Sequence, residues 1–220
     1  MAKGTKELKQ RITGVQNIQK ITRAMEMVAT QKLKKLQARA ESARPYSEKV
    51  QQMVARLAGS VRPDLSPLLG RRDVKRTANL IITGDKGLCG GYNTNVVRLT
   101  IAMMREAKAA GGVDQRNIVL GKKGAAMLTS KGVSVHSHLD DVVEKLDFIR
   151  VRNIARTLVN AFLDHEVDEL RLIYTTFLSA GKQRTATVSI LPIDPESLTG
   201  AEDEALGADF IVEPDEEELL

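Results

Sequence analysis

Tryptophan is absent from the 220 residues, and aromatic side chains make up only 3% of them. A surface that stacks bases on rings is therefore not expected. There is one cysteine, Cys89, so no internal disulfide can form, which fits a reducing compartment. No run of 18 apolar residues occurs, so no membrane-spanning helix is expected. The start, "MAKGTKELKQRI", lacks the apolar stretch of a secretory signal and the look of a transit peptide. Positive charge is missing from the end of the chain: no Lys or Arg follows Arg184, while 11 acidic residues lie between Asp194 and Leu220. The overall charge of +5 hides this asymmetry. Between Met1 and Arg56 there are 13 Lys/Arg against Glu7, Glu26, Glu41 and Glu48. The basic start and the acidic end are expected to face different neighbours.

The basic start reads as one long helix. Apolar or small residues recur at Leu8, Ile12, Val15, Ile18, Ile21, Met25, Val28, Leu33, Leu36, Ala40 and Ala43, a mean spacing of 3.5. That is the coiled-coil period. Residues 3–56 as a helix would be roughly 80 Å long. Gly14 and Pro45 interrupt the pattern, and Pro45 is expected to kink or restart the helix. Each large apolar side chain left in water forgoes roughly 1.5–3 kcal/mol of burial. Nothing later in the chain has matching length, so the stripe's partner is expected outside this sequence. The cations themselves leave three readings open: a solvated coiled-coil face, a contact for acidic protein surfaces, or a phosphate-binding arm for nucleic acid.

Residues 59–76, "GSVRPDLSPLLGRRDVKR", read as a linker. Strands and helices then alternate. "TANLIIT", "NIVLG", "VSVHSHL" and "LRLIYTTF" are strands; "NVVRLTIAMMREAKAA", "KKGAAMLTSKG" and "FIRVRNIARTLVNAFLDHE" are helices. "RTATVSILPI" follows as a hairpin partner through "LSAGKQ". The expected class is α/β, a Rossmann-like, mostly parallel sheet with an antiparallel edge, carried behind the long helix. The domain limits read as 1–58 (shaft helix), 59–76 (linker), 77–198 (α/β domain) and 199–220 (acidic tail around "DFIV").

"LIITGDKGLCGGYNTNVV" puts Gly84, Gly87, Gly90 and Gly91 between a strand and a helix. A P-loop needs G-x-x-x-x-G-K-[ST], and the dinucleotide fingerprint needs G-x-G-x-x-G. Neither spacing is met here or at "GKKG" from Gly121. A structural strand-to-helix turn is the better reading. Cys89 has no obvious base, since His136, His138 and His165 lie far off in sequence; a small buried hydrophobe fits it better. His136 and His138 at i, i+2 share a strand face without a clear third ligand. Catalytic residues, metal ligands and cofactor-binding residues are expected to be none.

"VQNIQKITRAMEMVATQKL" (15–33), "ARPYSEKV" (43–50) and "TGDKGLCGGYNTNVV" (83–97) together resemble the gamma subunits of F-type ATP synthases, the central rotor shaft. "RRDVKR", "YTTFLSAGKQRTATVSILPI" and "FIVEPD" match in place, and the likeness covers essentially all of 1–220, best in its bacterial form. The resemblance implies a non-catalytic subunit that couples proton flow to ATP synthesis or hydrolysis by rotating. Its partners would be a ring of three alpha and three beta subunits, the epsilon subunit and the c-ring. It implies a peripheral position on the cytoplasmic side of the cell membrane, with no direct span and no nucleic acid bound. Carried over by residue, Lys20, Arg23, Met25 and Glu26 would meet the beta-subunit levers. Asp85 and Lys86 would lie near the base of the ring, and Phe210, Ile211 and Val212 at the foot, near epsilon and the c-ring. The family's long C-terminal helix, the other half of the coiled coil, is expected to begin where this sequence stops, which reads as a fragment or truncated frame.

Overall fold

A computed structural model describes residues 2–60, 66–145, 148–179 and 181–194. The chain divides into two compact units, Met1–Met53 and Val54–Leu220. The first consists of most of helix α1 (Ala2–Ser60), which runs through Pro45 without a restart. Proline removes one amide from the ladder. The residues around it, Ala43, Arg44 and Glu48, are good helix formers, and the helix continues. Thr13, Thr22 and Thr30 turn their hydroxyls back onto the carbonyls of Lys9, Ile18 and Glu26, so these polar side chains do not compete with the ladder. Among its described residues this unit has no core. From residue 4 to 51 every side chain is exposed except half-buried Gln37, and the stripe from Leu8 to Leu36 is in water.

The second unit is a five-stranded sheet in the order β3-β2-β1-β4-β5. The strands are β1 (Arg76–Ile82), β2 (Asp114–Leu120), β3 (Ser137–Leu139), β4 (Glu169–Ser179) and β5 (Lys182–Leu191). All neighbours pair parallel except β4 with β5, so the mostly parallel sheet with an antiparallel edge is as the sequence indicates. Helices α2 (Tyr92–Ala109), α3 (Lys122–Ser130), α4 (Val142–Lys145) and α5 (Phe148–Leu163) complete it. Alternation along β1 divides two cores. Ile81 joins Val96, Val97, Val119, Leu128 and Ile173 on the α2–α3 side. Ala78 joins Leu158, Phe162, Leu170 and Leu191 on the α5 side. A slip of one residue would exchange these sets. Register is further pinned by a buried amide pair: Asn79 sits opposite Asn117 and donates to its Oδ1 at 3.0 Å. Asn117 in turn donates to the Ser134 carbonyl at 3.0 Å.

The expected strand over 133–139 shortens to β3. Val133 and Val135 pack against the α2–α3 core instead of continuing a ladder. His138 is on β3 and His136 lies before it, its amide bonded to the Asn117 carbonyl at 2.8 Å. The shared strand face proposed for these two histidines is therefore not formed.

The approach to β1 is fastened by Arg72 and Asp168. The Arg72 guanidinium lies over the Phe162 ring at 4.1 Å and donates to the carbonyls of Phe162 (2.7 Å) and Val167 (3.0 Å), and it meets His165 Nδ1. Buried Asp168 accepts the amides of Lys75 (3.0 Å) and Arg76 (2.8 Å). Burial pushes its carboxyl up, but the two amides and the charges of Arg76 and Arg72 outweigh burial and hold it below the usual carboxylate range. Arg72→Ala removes these bonds and leaves Asp168 undercompensated; the expected loss is about 2–4 kcal/mol in urea unfolding. A lowered folded pKa gives stability that is full above the unfolded value, about 3.9, and is lost as pH falls through the folded one. Stability of the wild-type domain is expected to drop below about pH 4, and Asp168→Asn should flatten that limb.

Candidate functional site

Two described features carry the residues that the sequence nominates: the exposed stripe of α1 and the glycine-rich turn between β1 and α2. Each belongs to a different unit.

The turn begins at Thr83, fully buried at the end of β1. Its amide and hydroxyl both donate to the Leu120 carbonyl, at 2.8 and 2.9 Å. The same hydroxyl accepts the Gly124 amide at 3.2 Å. Helix α3 thus starts directly against the Thr83 side chain, just past the end of β1, and only glycine allows this approach. A Cβ on Gly121 would sit 2.4 Å from the Thr83 carbonyl oxygen, at φ +106°, and one on Gly124 would sit 2.3 Å from Oγ1. The "GKKG" motif therefore serves close packing.

Asp85 supplies the anion at this helix start. Its Oδ1 accepts the Lys122 amide at 3.0 Å and its Oδ2 the Asp141 amide at 3.1 Å. The Lys123 amide goes to the Gly84 carbonyl at 3.1 Å. The first three amides of α3 are thus taken by the chain itself, where a phosphate cradle would keep them for a ligand. Asn93, buried on α2, ties the other side. It accepts the Gly84 amide at 2.8 Å and points its Nδ2 at the Lys86 carbonyl (3.4 Å) and Cys89 Sγ (3.3 Å). Burial beside Cys89 pushes the Tyr92 phenol up, so it stays neutral.

Cys89 is exposed, which corrects the expectation of a buried hydrophobe: the turn carries it outward, and its sulfur contacts only Asn93 and the Lys86 carbonyl among the bonds described. His165 is engaged with Arg72, and His138 and His136 belong to the β3 edge, so no imidazole is placed as a base for the thiol. Leu88 was not singled out from the sequence. It stands 97% exposed with φ +60°, a leucine held in the left-handed region at the tip of a fastened turn. Its position between two glycine groups is the one signal that could have found it.

On α1, Lys20, Arg23, Met25 and Glu26 are all exposed, Met25 to 55%. Met25 lies in the stripe with Ile18, Ile21 and Val28, and Lys20, Arg23 and Glu26 stand beside it on the helix. Phe210, Ile211 and Val212 lie outside the described residues. Among the described residues no helix is long and apolar enough to cross a membrane.

A family model described as ATP synthase matches residues 4–220. The ATP synthase gamma chain of Moorella thermoacetica is 39% identical over 215 residues, spanning 98% of this chain and 73% of its own length. The chain belongs to the ATP synthase gamma chain family. The gamma chain of Cupriavidus metallidurans is 38% identical over 220 residues (99% and 75% of the two lengths), and that of Staphylococcus saprophyticus 36% over 215 (98% and 74%). In fold the chain is similar to one in the cryo-EM structure of the central stalk and c-ring of Tetrahymena thermophila mitochondrial ATP synthase. The TM-score is 0.66 at 24% identity, over 90% of this chain and 83% of that one.

The turn's geometry predicts unequal glycines. Gly124→Ala drives a methyl into Thr83 and should cost about 2–4 kcal/mol, whereas Gly90→Ala, with φ +57° but open space around it, should cost about 1 kcal/mol. Denaturant midpoints of the two variants check the order. Calorimetric titration of the chain with ATP should give no saturable micromolar binding; such binding would contradict the internal satisfaction of the turn.

Proposed function

We propose that this chain is the central stalk of an F-type ATP synthase, a non-catalytic subunit that couples proton movement through a c-ring to ATP synthesis or hydrolysis on alpha and beta subunits by rotating within their three-to-three ring. The observation that carries this reading is the apolar stripe of α1, from Leu8 to Leu36, exposed to water on the first unit. A stripe of that size is stable only when neighbours cover it. Membership in the gamma chain family supports ATP synthase subunits as those neighbours.

Rotary coupling needs a surface whose contacts change with angle. One side of α1 at residues 20–28 offers methionine and isoleucine flanked by cations. Met25 suits contact with successive, differently shaped partners because its thioether is flexible and polarizable. In this reading Met25 presses the beta-subunit levers, with Lys20 and Arg23 set for acidic groups and Glu26 beside them. Asp85 and Lys86 are assigned to the base of the ring, in a turn that Asp85 also holds in shape, with the outward Leu88 beside them. Phe210, Ile211 and Val212 are assigned to the foot, toward epsilon and the c-ring. The division into shaft (1–58), linker (59–76), α/β domain (77–198) and acidic tail (199–220) is part of the same proposal, as is a peripheral place on the cytoplasmic side of the membrane. No cofactor, metal or nucleic acid is assigned. The internally bonded amides at Gly84, Lys122, Lys123 and Gly124 support a subunit without nucleotide chemistry of its own.

Met25→Lys is expected to lower coupling more than assembly, because a desolvated ammonium at the lever contact is unfavourable. Proton pumping per ATP hydrolysed, measured in inverted vesicles, should fall several-fold while the complex is still recovered. An unchanged ratio would remove Met25 from the contact.

A further inference from the structure

Helix α5 covers its side of the sheet unevenly. Through Leu158 and Phe162 it packs on Ala78 of β1, Leu170 of β4 and Leu191 of β5. Ile118 of β2 and Leu139 of β3, on the opposite side of β1 in the sheet, stay only half-buried. Between them and α5 lies a trough of about 550 Å³. Small-molecule sites span about 300–1,000 Å³. A parallel sheet is normally packed on both faces, so an apolar floor left open calls for a cover. The helix lines the trough with one face at the helical period: Arg150, Asn153, Ile154, Thr157, Leu158 and Ala161. That face is roughly 16 Å long. The two ends differ. At the start of α5, Arg150 and Asn153 supply a guanidinium and a side-chain amide. At the other end the Glu166 amide bonds the Ala161 carbonyl at 2.8 Å, and the Glu166 carboxylate meets Arg116, also at 2.8 Å, as a neutral pair. Among the described residues lining the trough, Glu166 is the one carboxylate.

We infer that this trough is a binding site for a long-chain carboxylate, a small molecule with one anionic head and one flexible apolar chain. The head lies at Arg150, whose planar fork matches a carboxylate, with the Asn153 amide as a further donor. The chain runs over Ile118, Leu139 and Leu158 toward Ala78 and stops at the Arg116–Glu166 pair. The other classes of occupant fit less well. A polypeptide would lay backbone N–H and C=O groups over a hydrocarbon floor that offers them no partner. An inorganic anion would leave the floor in water. An amphiphilic cation would meet Arg150 with the same charge. The site is separate from the α1 stripe and the glycine-rich turn, and it needs no other subunit.

Photolabelling of the full chain with a laurate derivative carrying a diazirine midway along its chain, followed by peptide mass spectrometry, tests this. The exposed stripe of α1 can also take up amphiphiles, so the labelled position decides. The expected result is label on residues 116–118, 137–139 and 150–161 that saturates at micromolar probe. Free laurate should displace it, and dodecyltrimethylammonium at the same concentration should not. Arg150→Glu should raise the half-saturating concentration at these peptides about tenfold or more and leave labelling of α1 unchanged. Arg150→Gln, which removes the charge without reversing it, should give a smaller shift. The competition between laurate and the ammonium amphiphile needs no variant, so it decides whether or not a substitution disturbs α5. Label confined to α1, label in the trough that does not saturate, equal displacement by the two amphiphiles, or an unchanged half-saturation in Arg150→Glu overturns the assignment. None of these outcomes bears on the stalk reading.

Discussion

One hydroxyl organises the α/β unit. Thr83 directly follows β1 and is fully buried, and its Oγ1 lies between the Leu120 carbonyl and the Gly124 amide. It thereby joins the ends of two strands to the start of α3, at the edge of the turn that leads into α2. Everything at the carboxyl ends of the strands follows from how close this contact brings the backbone. Gly121 and Gly124 are required because nothing larger fits, and Asp85 comes within reach of the Lys122 and Asp141 amides because α3 starts there. In many open α/β sheets this crevice is where ligands bind. Here the chain fills the corresponding hydrogen bonds with its own Thr, Asp and Asn, which makes the turn a rigid joint that presents Leu88 outward.

The two units solve the burial problem in opposite ways. The α/β unit covers both faces of its sheet from within, with Ile81 and Ala78 of one strand pointing into separate cores. Among its described residues the first unit buries nothing of its own, and its stripe is complete only in company. A helix of this kind transmits force well because its own hydrogen bonds are satisfied along its length, while its side chains remain available to others. The stalk reading gives that division a purpose: one unit is shaped by itself, the other by the surroundings in which it works.

Much of this fold was legible in the sequence. The strands are rich in apolar and β-branched residues, the helices periodic, and glycines mark several boundaries, so β1, α2, β2, α3, α5, β4 and β5 emerge close to their places. The antiparallel edge was readable because "LSAGKQ" is too short for a crossover. What failed did so for tertiary reasons. Val133 and Val135 look like strand residues, yet the core beside α2 and α3 takes them before pairing begins. Pro45 should interrupt a helix by local rules, and the strong helix formers around it prevail. Cys89 reads as a small hydrophobe and is carried outward by the turn, with Leu88 beside it in a backbone conformation that no propensity would assign. The partner-facing residues came from family motifs, since a surface that functions only when covered leaves no chemical signature beyond its exposure.

The central claim is that the α1 stripe is covered by the complex in which the chain turns. Hydroxyl-radical footprinting of Met25 and Met27, comparing the isolated chain with the whole ATP synthase, tests it directly. Both methionines are exposed in the chain, to 55% and 60%. The account predicts strong protection of Met25 in the complex, deeper than that of exposed Tyr46 farther along the same helix. Equal oxidation of Met25 in the free chain and in the intact complex would contradict it.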